Sequence, residues 1–103
     1  MDKFEINKFV KFSEDGPSKE IFYNKGDLKA QILCMKAGQT IPPCKMNNDV
    51  LFYTVEGEGE ITVDDRKEVL LPGVSVIIPK EAESRSMYAR TDMVILGVQA
   101  VRR

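Results

Sequence analysis

A chain of 103 residues, 43% hydrophobic and 30% charged, has the size and composition of one globular domain around a single core. Its net charge of −1 excludes the broad basic face that nucleic acid or an anionic membrane would require, and Arg102-Arg103 is too short a run to change that. No apolar stretch approaches the roughly 18 residues of a membrane span.

Met1 to Glu5 carry no signal-peptide core, so a cytoplasmic protein is expected. Residues 1–27 are read as an edge segment of the same single domain that residues 28–103 complete. Phe4, Ile6, Phe9, Val10 and Phe12 are too apolar for a solvated tail, yet they follow no clear period. Short runs rich in Val, Ile, Phe and Tyr then recur about every ten residues, a spacing that predicts an all-β sandwich or barrel. The predicted strands are residues 10–12, 20–23, 28–35, 50–55, 58–63, 67–71, 74–78, 84–89 and 93–100. Breaker clusters separate them, among them Glu14-Asp15-Gly16-Pro17, Asn24-Lys25-Gly26-Asp27 and Arg90-Thr91-Asp92. Residues 39–43, Gln-Thr-Ile-Pro-Pro, are read as a turn, and Asp64-Asp65 as a tight hairpin turn. Cys34 and Cys44 make no disulfide framework and are expected as thiols.

Two stretches carry a recognisable pattern. Gly38 is followed by Cys44-Lys45-Met46, then by the apolar run from Val50 to Val55 and by Glu56-Gly57-Glu58-Gly59. Farther on stands Leu71-Pro72-Gly73, followed by Val74 to Ile78 and Pro79. This frame resembles the two motifs of the cupin family, whose fold is a double-stranded β-helix, or jelly-roll barrel. The resemblance implies a divalent metal held by three His and one Glu. Cys44 and Met46 stand at the first two His positions, Val50 at the Glu position, Ser84 at the third His and Tyr88 at a following Asn. There is no His in the chain. The glycines and prolines persist while every ligand has changed, so the fold is expected and the usual metal chemistry is not. No cofactor is expected.

Strand alternation gives the candidate interior. Val50, Phe52 and Thr54 are expected to face inward with Val76 and Ile78, leaving Leu51 and Tyr53 outside. Ser84, Ser86 and Tyr88 are expected on the opposite wall, leaving Arg85 and Met87 outside. Leu33 and Met35 are expected inward and Cys34 outward. Cys44 and Met46, two apart, are expected on one face; they read as apolar filler, with a soft Cu(I) site as the alternative. The candidate ligand-binding set is therefore Cys44, Met46, Val50, Phe52, Thr54, Ser84, Ser86 and Tyr88. Apolar walls with a few hydroxyls suit a small organic molecule. Two alternatives remain: a metal-independent isomerase, epimerase or lyase acting through Tyr88 on a sugar-like or keto compound, and an interaction module. The latter would work as a homodimer through Leu51, Tyr53, Met87 and Cys34. A homodimer is expected in either case, with no nucleic acid or membrane partner.

Overall fold

Alternating apolar residues and frequent turn signals assemble, in this computed structural model, into two antiparallel sheets. The structure describes residues 1–101; the Arg102-Arg103 pair lies outside them. Among the described residues a short 3-10 turn, Ile6–Phe9, precedes nine strands: β1 Ser18–Lys25, β2 Leu28–Met35, β3 Thr40–Cys44, β4 Val50–Glu56, β5 Gly59–Val63, β6 Arg66–Leu70, β7 Ser75–Ile78, β8 Arg85–Ala89 and β9 Met93–Ala100. One sheet runs in the order β1-β2-β9-β4-β7, the other β3-β8-β5-β6. No helix among the described residues is long and apolar enough to cross a membrane.

The core fills the space between the sheets. Leu33, Met35, Val50, Phe52, Ile61, Leu70, Ile78, Met87, Ala89, Met93 and Ile95 form one buried cluster. Inward Val50, Phe52 and Thr54 and exposed Tyr53 follow the expected alternation. A second, smaller cluster covers the outer face of the five-stranded sheet. There Ile32, Cys34 and Val94 are packed by Ile6, Phe9, Val10 and Phe22. The apolar N-terminal residues thus fold back over their own sheet, with the Phe9 and Phe22 rings stacked at 5.2 Å. Cys34 does face away from the core, as expected, but is 1% exposed beneath this cover. It has no part in any exposed face.

Three expectations are corrected. Residues 10–12 form no strand, because this stretch lies along the sheet face and makes no ladder. Residues 40–44 are a strand, β3, although Pro42 and Pro43 had suggested a turn. Proline is tolerated here because β3 is an edge strand paired on one side only, with β8, and the ladder is irregular between Ile41 and Cys44.

The third correction has the largest consequence. Strand β8 faces the opposite way from the sequence expectation. Arg85, Met87 and Ala89 are buried, whereas Tyr88 is 41% exposed. The reason lies in register. Strand β5 sets Ile61 opposite Met87 and Val63 opposite Arg85, and directly paired residues share a face. Ile61 belongs to the core, so its partners on β8 turn inward and the hydroxyl-bearing Ser86 and Tyr88 turn outward. Met87 is therefore lost from the expected outer apolar face.

Candidate binding site in the barrel

Two neighbouring features occupy the inter-sheet space: an apolar cavity and a buried charge. The cavity, about 460 Å³, opens between the unpaired edges of β6 and β7. Ile61, Val63, Val74, Val76 and Ile78 form its apolar wall, and Arg66, Glu68 and Ser75 stand around it. Val63 also stands opposite Arg85 on the neighbouring strand, so cavity wall and charge are adjacent.

Local structure holds Arg85 in place from the β5–β6 turn. Asp64, at φ +53°, makes the two-residue hairpin bend that the Asp64-Asp65 pair had suggested. Its backbone N–H donates to the Ser84 carbonyl at 2.9 Å. Its Oδ1 accepts the N–H groups of Glu83 at 2.9 Å and Ser84 at 3.0 Å. The chain is thereby pinned one residue before Arg85, which sets the phase of β8. Lys45 Nζ, donating to the Ala82 carbonyl at 3.2 Å, and Asp49 Oδ1, accepting Lys80 N–H at 2.7 Å, tie down the same connection.

Arg85 is 5% exposed and has soft neighbours only. Its Nη2 donates to Met46 Sδ and its Nη1 approaches Met87 Sδ at 3.9 Å. The guanidinium carbon lies 5.4 Å from the Phe52 ring centroid. Nε is buried and has no hydrogen-bond partner. Burial pushes the guanidinium below its ordinary pKa range, an effect that nearby Cys44 partly opposes. Arginine nevertheless keeps its charge in proteins. Gln31 and Gln99 are also buried, and Asn48 Nδ2 donates to Gln99 Oε1 at 3.2 Å.

The candidate residues fall into four groups. Val50, Phe52 and Thr54 are interior, and Met46 packs against the same core. Cys44 is exposed. It stands opposite Arg85 in the β3–β8 register, and Met46 is in contact with the same guanidinium. Met46 Sδ already accepts from Arg85, so a cation drawn to that sulfur would sit against a fixed positive charge. Among the described residues no group of three or more His, Cys, Asp and Glu converges. Ser84 is half-buried in the loop before β8. Ser86 and Tyr88 line a separate groove on the outer face of the four-stranded sheet, with Thr40, Thr62, Glu60 and Lys67. Glu60 there is paired with Arg90 and, at 3.0 Å, with Lys67, and these contacts hold its carboxyl below the usual range.

Gln31 and Gln99 were absent from the sequence expectation, and Arg85 was expected outside the barrel. The available signal was phase: Arg85 is in step with Met87 and Ala89, the apolar members of its strand.

No family model matches the chain. A stretch of 65 residues, 63% of this chain, is 31% identical to a mercuric reductase from Shewanella putrefaciens, but it spans 12% of that protein. Solved structures are similar over nearly the whole chain. The TT1209 protein of Thermus thermophilus superposes with a TM-score of 0.90 at 18% identity, covering 100% of both chains. An RmlC-like cupin from Desulfovibrio desulfuricans gives 0.86 at 24% identity, covering 97% of this chain and 96% of its own. A cupin superfamily protein from Desulfitobacterium hafniense gives 0.80 at 16% identity, covering 90% and 84%.

Proposed function

We propose that this chain, a small cupin barrel, binds a small organic molecule between its two sheets. The observation that carries the reading is the cavity of about 460 Å³ between β6 and β7, walled by Ile61, Val63, Val74, Val76 and Ile78. That volume lies within the range of about 300–1,000 Å³ usual for small-molecule sites. A catalytic reading through Tyr88 loses its geometry, since the phenol lies outside the barrel. The mercuric reductase likeness spans too little of that protein for its activity to be carried over.

A screen of small organic molecules by thermal shift tests the reading. At least one compound should stabilise the protein, by about 2.7 kcal/mol when present at a hundred times its Kd. Val76→Phe, which fills the cavity, should abolish that shift while leaving the circular dichroism spectrum unchanged. If no organic compound stabilises the wild type, or if Val76→Phe binds as before, the cavity is not the site.

One observation favours a homodimer as well. Ile77 is 71% exposed and lies beside Leu51, which in turn pairs with Val98, on the part of the outer sheet face that the N-terminal segment leaves bare. Tyr53, 40% exposed, extends this strip. Without Met87 and Cys34 the face is smaller than the sequence suggested. Sedimentation at low micromolar concentration should show a dimer that Ile77→Lys converts to monomer; a monomeric wild type would end this reading.

A further inference from the structure

A guanidinium buried to 5% exposure needs hydrogen-bond acceptors of matching charge, and among the described residues Arg85 has none. Its neighbours are two thioether sulfurs, the Phe52 ring and the Cys44 thiol opposite it on β3, and its Nε–H has no hydrogen-bond partner among the described residues. Thioethers are weak acceptors, and cation–π contact offsets only part of the cost of removing a charge from water. Such a group is rarely left alone in a protein interior; buried charges are paired. Among the described residues no carboxylate is bonded to it: the acidic side chains in its loop, Glu81 and Glu83, are exposed, and Asp64 is engaged with backbone amides.

We infer that Arg85 is the anchor for the negative end of the barrel's ligand, and that the ligand is a small organic monocarboxylate. This rests on the reading of the barrel as a small-molecule site and deepens it. The planar guanidinium fork matches a carboxylate geometrically and binds it through charge-assisted hydrogen bonds. Rotation of the flexible Met46 side chain, half-buried at the barrel end, frees the Nη2 edge for this exchange of a soft partner for an anionic one. Charge balance selects one negative charge. Arg66 at the cavity's edge is already matched by Glu68 at 2.6 Å, which leaves the one buried guanidinium, so a phosphate dianion would bring a surplus charge into an apolar interior. The rest of the ligand has its place in the adjoining cavity. Val63 links the two, lining the cavity while standing opposite Arg85, and the wall around it is branched aliphatic. The predicted ligand therefore has a carboxylate at one end and a compact apolar body at the other.

Binding of paired probes to the full chain separates this inference from the reading beneath it. The probes are acetate, butyrate and benzoate, their neutral amides, and inorganic phosphate, followed by calorimetry and thermal shift. Butyrate or benzoate should bind at least tenfold more tightly than the matching amide. Arg85→Met should remove that preference, weakening carboxylate at least tenfold while leaving the amide within about twofold. Arg85→Lys, which keeps the charge without the fork, should retain part of it. Amides binding as tightly as carboxylates to the wild type would overturn the anion assignment and leave the small-molecule site standing. Phosphate binding that depends on Arg85, without carboxylate binding, would overturn the ligand class. Absence of binding by every organic probe would remove both readings. The wild-type comparison of acid with amide decides the matter even if neither variant folds.

Discussion

Replacing Arg85 by Met should raise the melting temperature of the ligand-free protein. Most single substitutions of buried residues destabilise, so an increase is a distinctive outcome. The expected gain follows from what the guanidinium lacks. It is 5% exposed and, among the described residues, has no carboxylate partner and an unbonded Nε. Methionine is unbranched and adaptable, and two methionine sulfurs already line the place it would occupy. Exchange of buried charges for apolar side chains of similar volume commonly stabilises by about 1–4 kcal/mol. For a domain of this length each kcal/mol moves the midpoint by roughly 4–8 °C. Thermal unfolding followed by circular dichroism measures the change. A fall of more than about 1 kcal/mol would mean that Arg85 is compensated by contacts that the thioethers and ring do not account for. Stability given up at one buried group for the sake of a ligand is a familiar feature of binding sites.

The second large effect belongs to Gly57, in the bend after β4. Its φ is +85°, and a Cβ there would lie 2.1 Å from the Asp92 carbonyl oxygen and 2.8 Å from Met93 Cα. Both obstacles are backbone, so no side-chain rotation relieves them. Gly57→Ala adds this clash to the cost of a left-handed residue, which alone is about 1–3 kcal/mol. A loss of at least ~4 kcal/mol is expected, comparable to the whole stability of a marginal domain. Gly38 provides the comparison. Its φ is +88°, but nothing lies within 4 Å of the Cβ position, so Gly38→Ala should show the backbone strain alone. Urea unfolding of the two variants should rank Gly57→Ala well below Gly38→Ala. Equal midpoints would show that the β4–β5 bend moves away from Asp92 at little cost.

These two sites show how differently parts of the molecule could be read from the chain. Gly57 belongs to the resemblance on which the cupin barrel was expected, and its role is local: a bend too tight for a side chain. Strands β2 and β9 were legible to the residue, because a breaker cluster ending in Asp27 or Asp92 stands directly before each apolar run. The interior positions Val50, Phe52 and Thr54 were legible because alternation within β4 is regular. Strand β3 was hidden by its two prolines, which mark a turn unless the strand is known to be an edge. The 3-10 turn and the coil after it had no period, since their packing is one-sided against a sheet face formed by distant strands.

Arg85 was hidden for a different reason. Its strand mixes small polar, charged and apolar residues, Arg-Ser-Met-Tyr-Ala, so local composition supports either face. A charged side chain is also the residue type least expected inside. The aligned motif placed Ser84 inward, and alternation then carried that choice through Ser86 and Tyr88. Pairing with β5 decided otherwise, because Ile61 and Val63 have a stronger claim on the interior than any residue of β8.

By itself the chain pointed to an all-β barrel of cupin-like fold, most of its strand boundaries, and the replacement of every expected metal ligand. Those properties rest on local signals: alternation, breakers and the spacing of glycines and prolines. Only the tertiary structure decided which way β8 faces, and with it that a buried guanidinium stands in the barrel beside an apolar cavity. The physical reason is the two-residue period of a strand: one step of register exchanges its faces, and a partner strand 20 or more residues away sets that step.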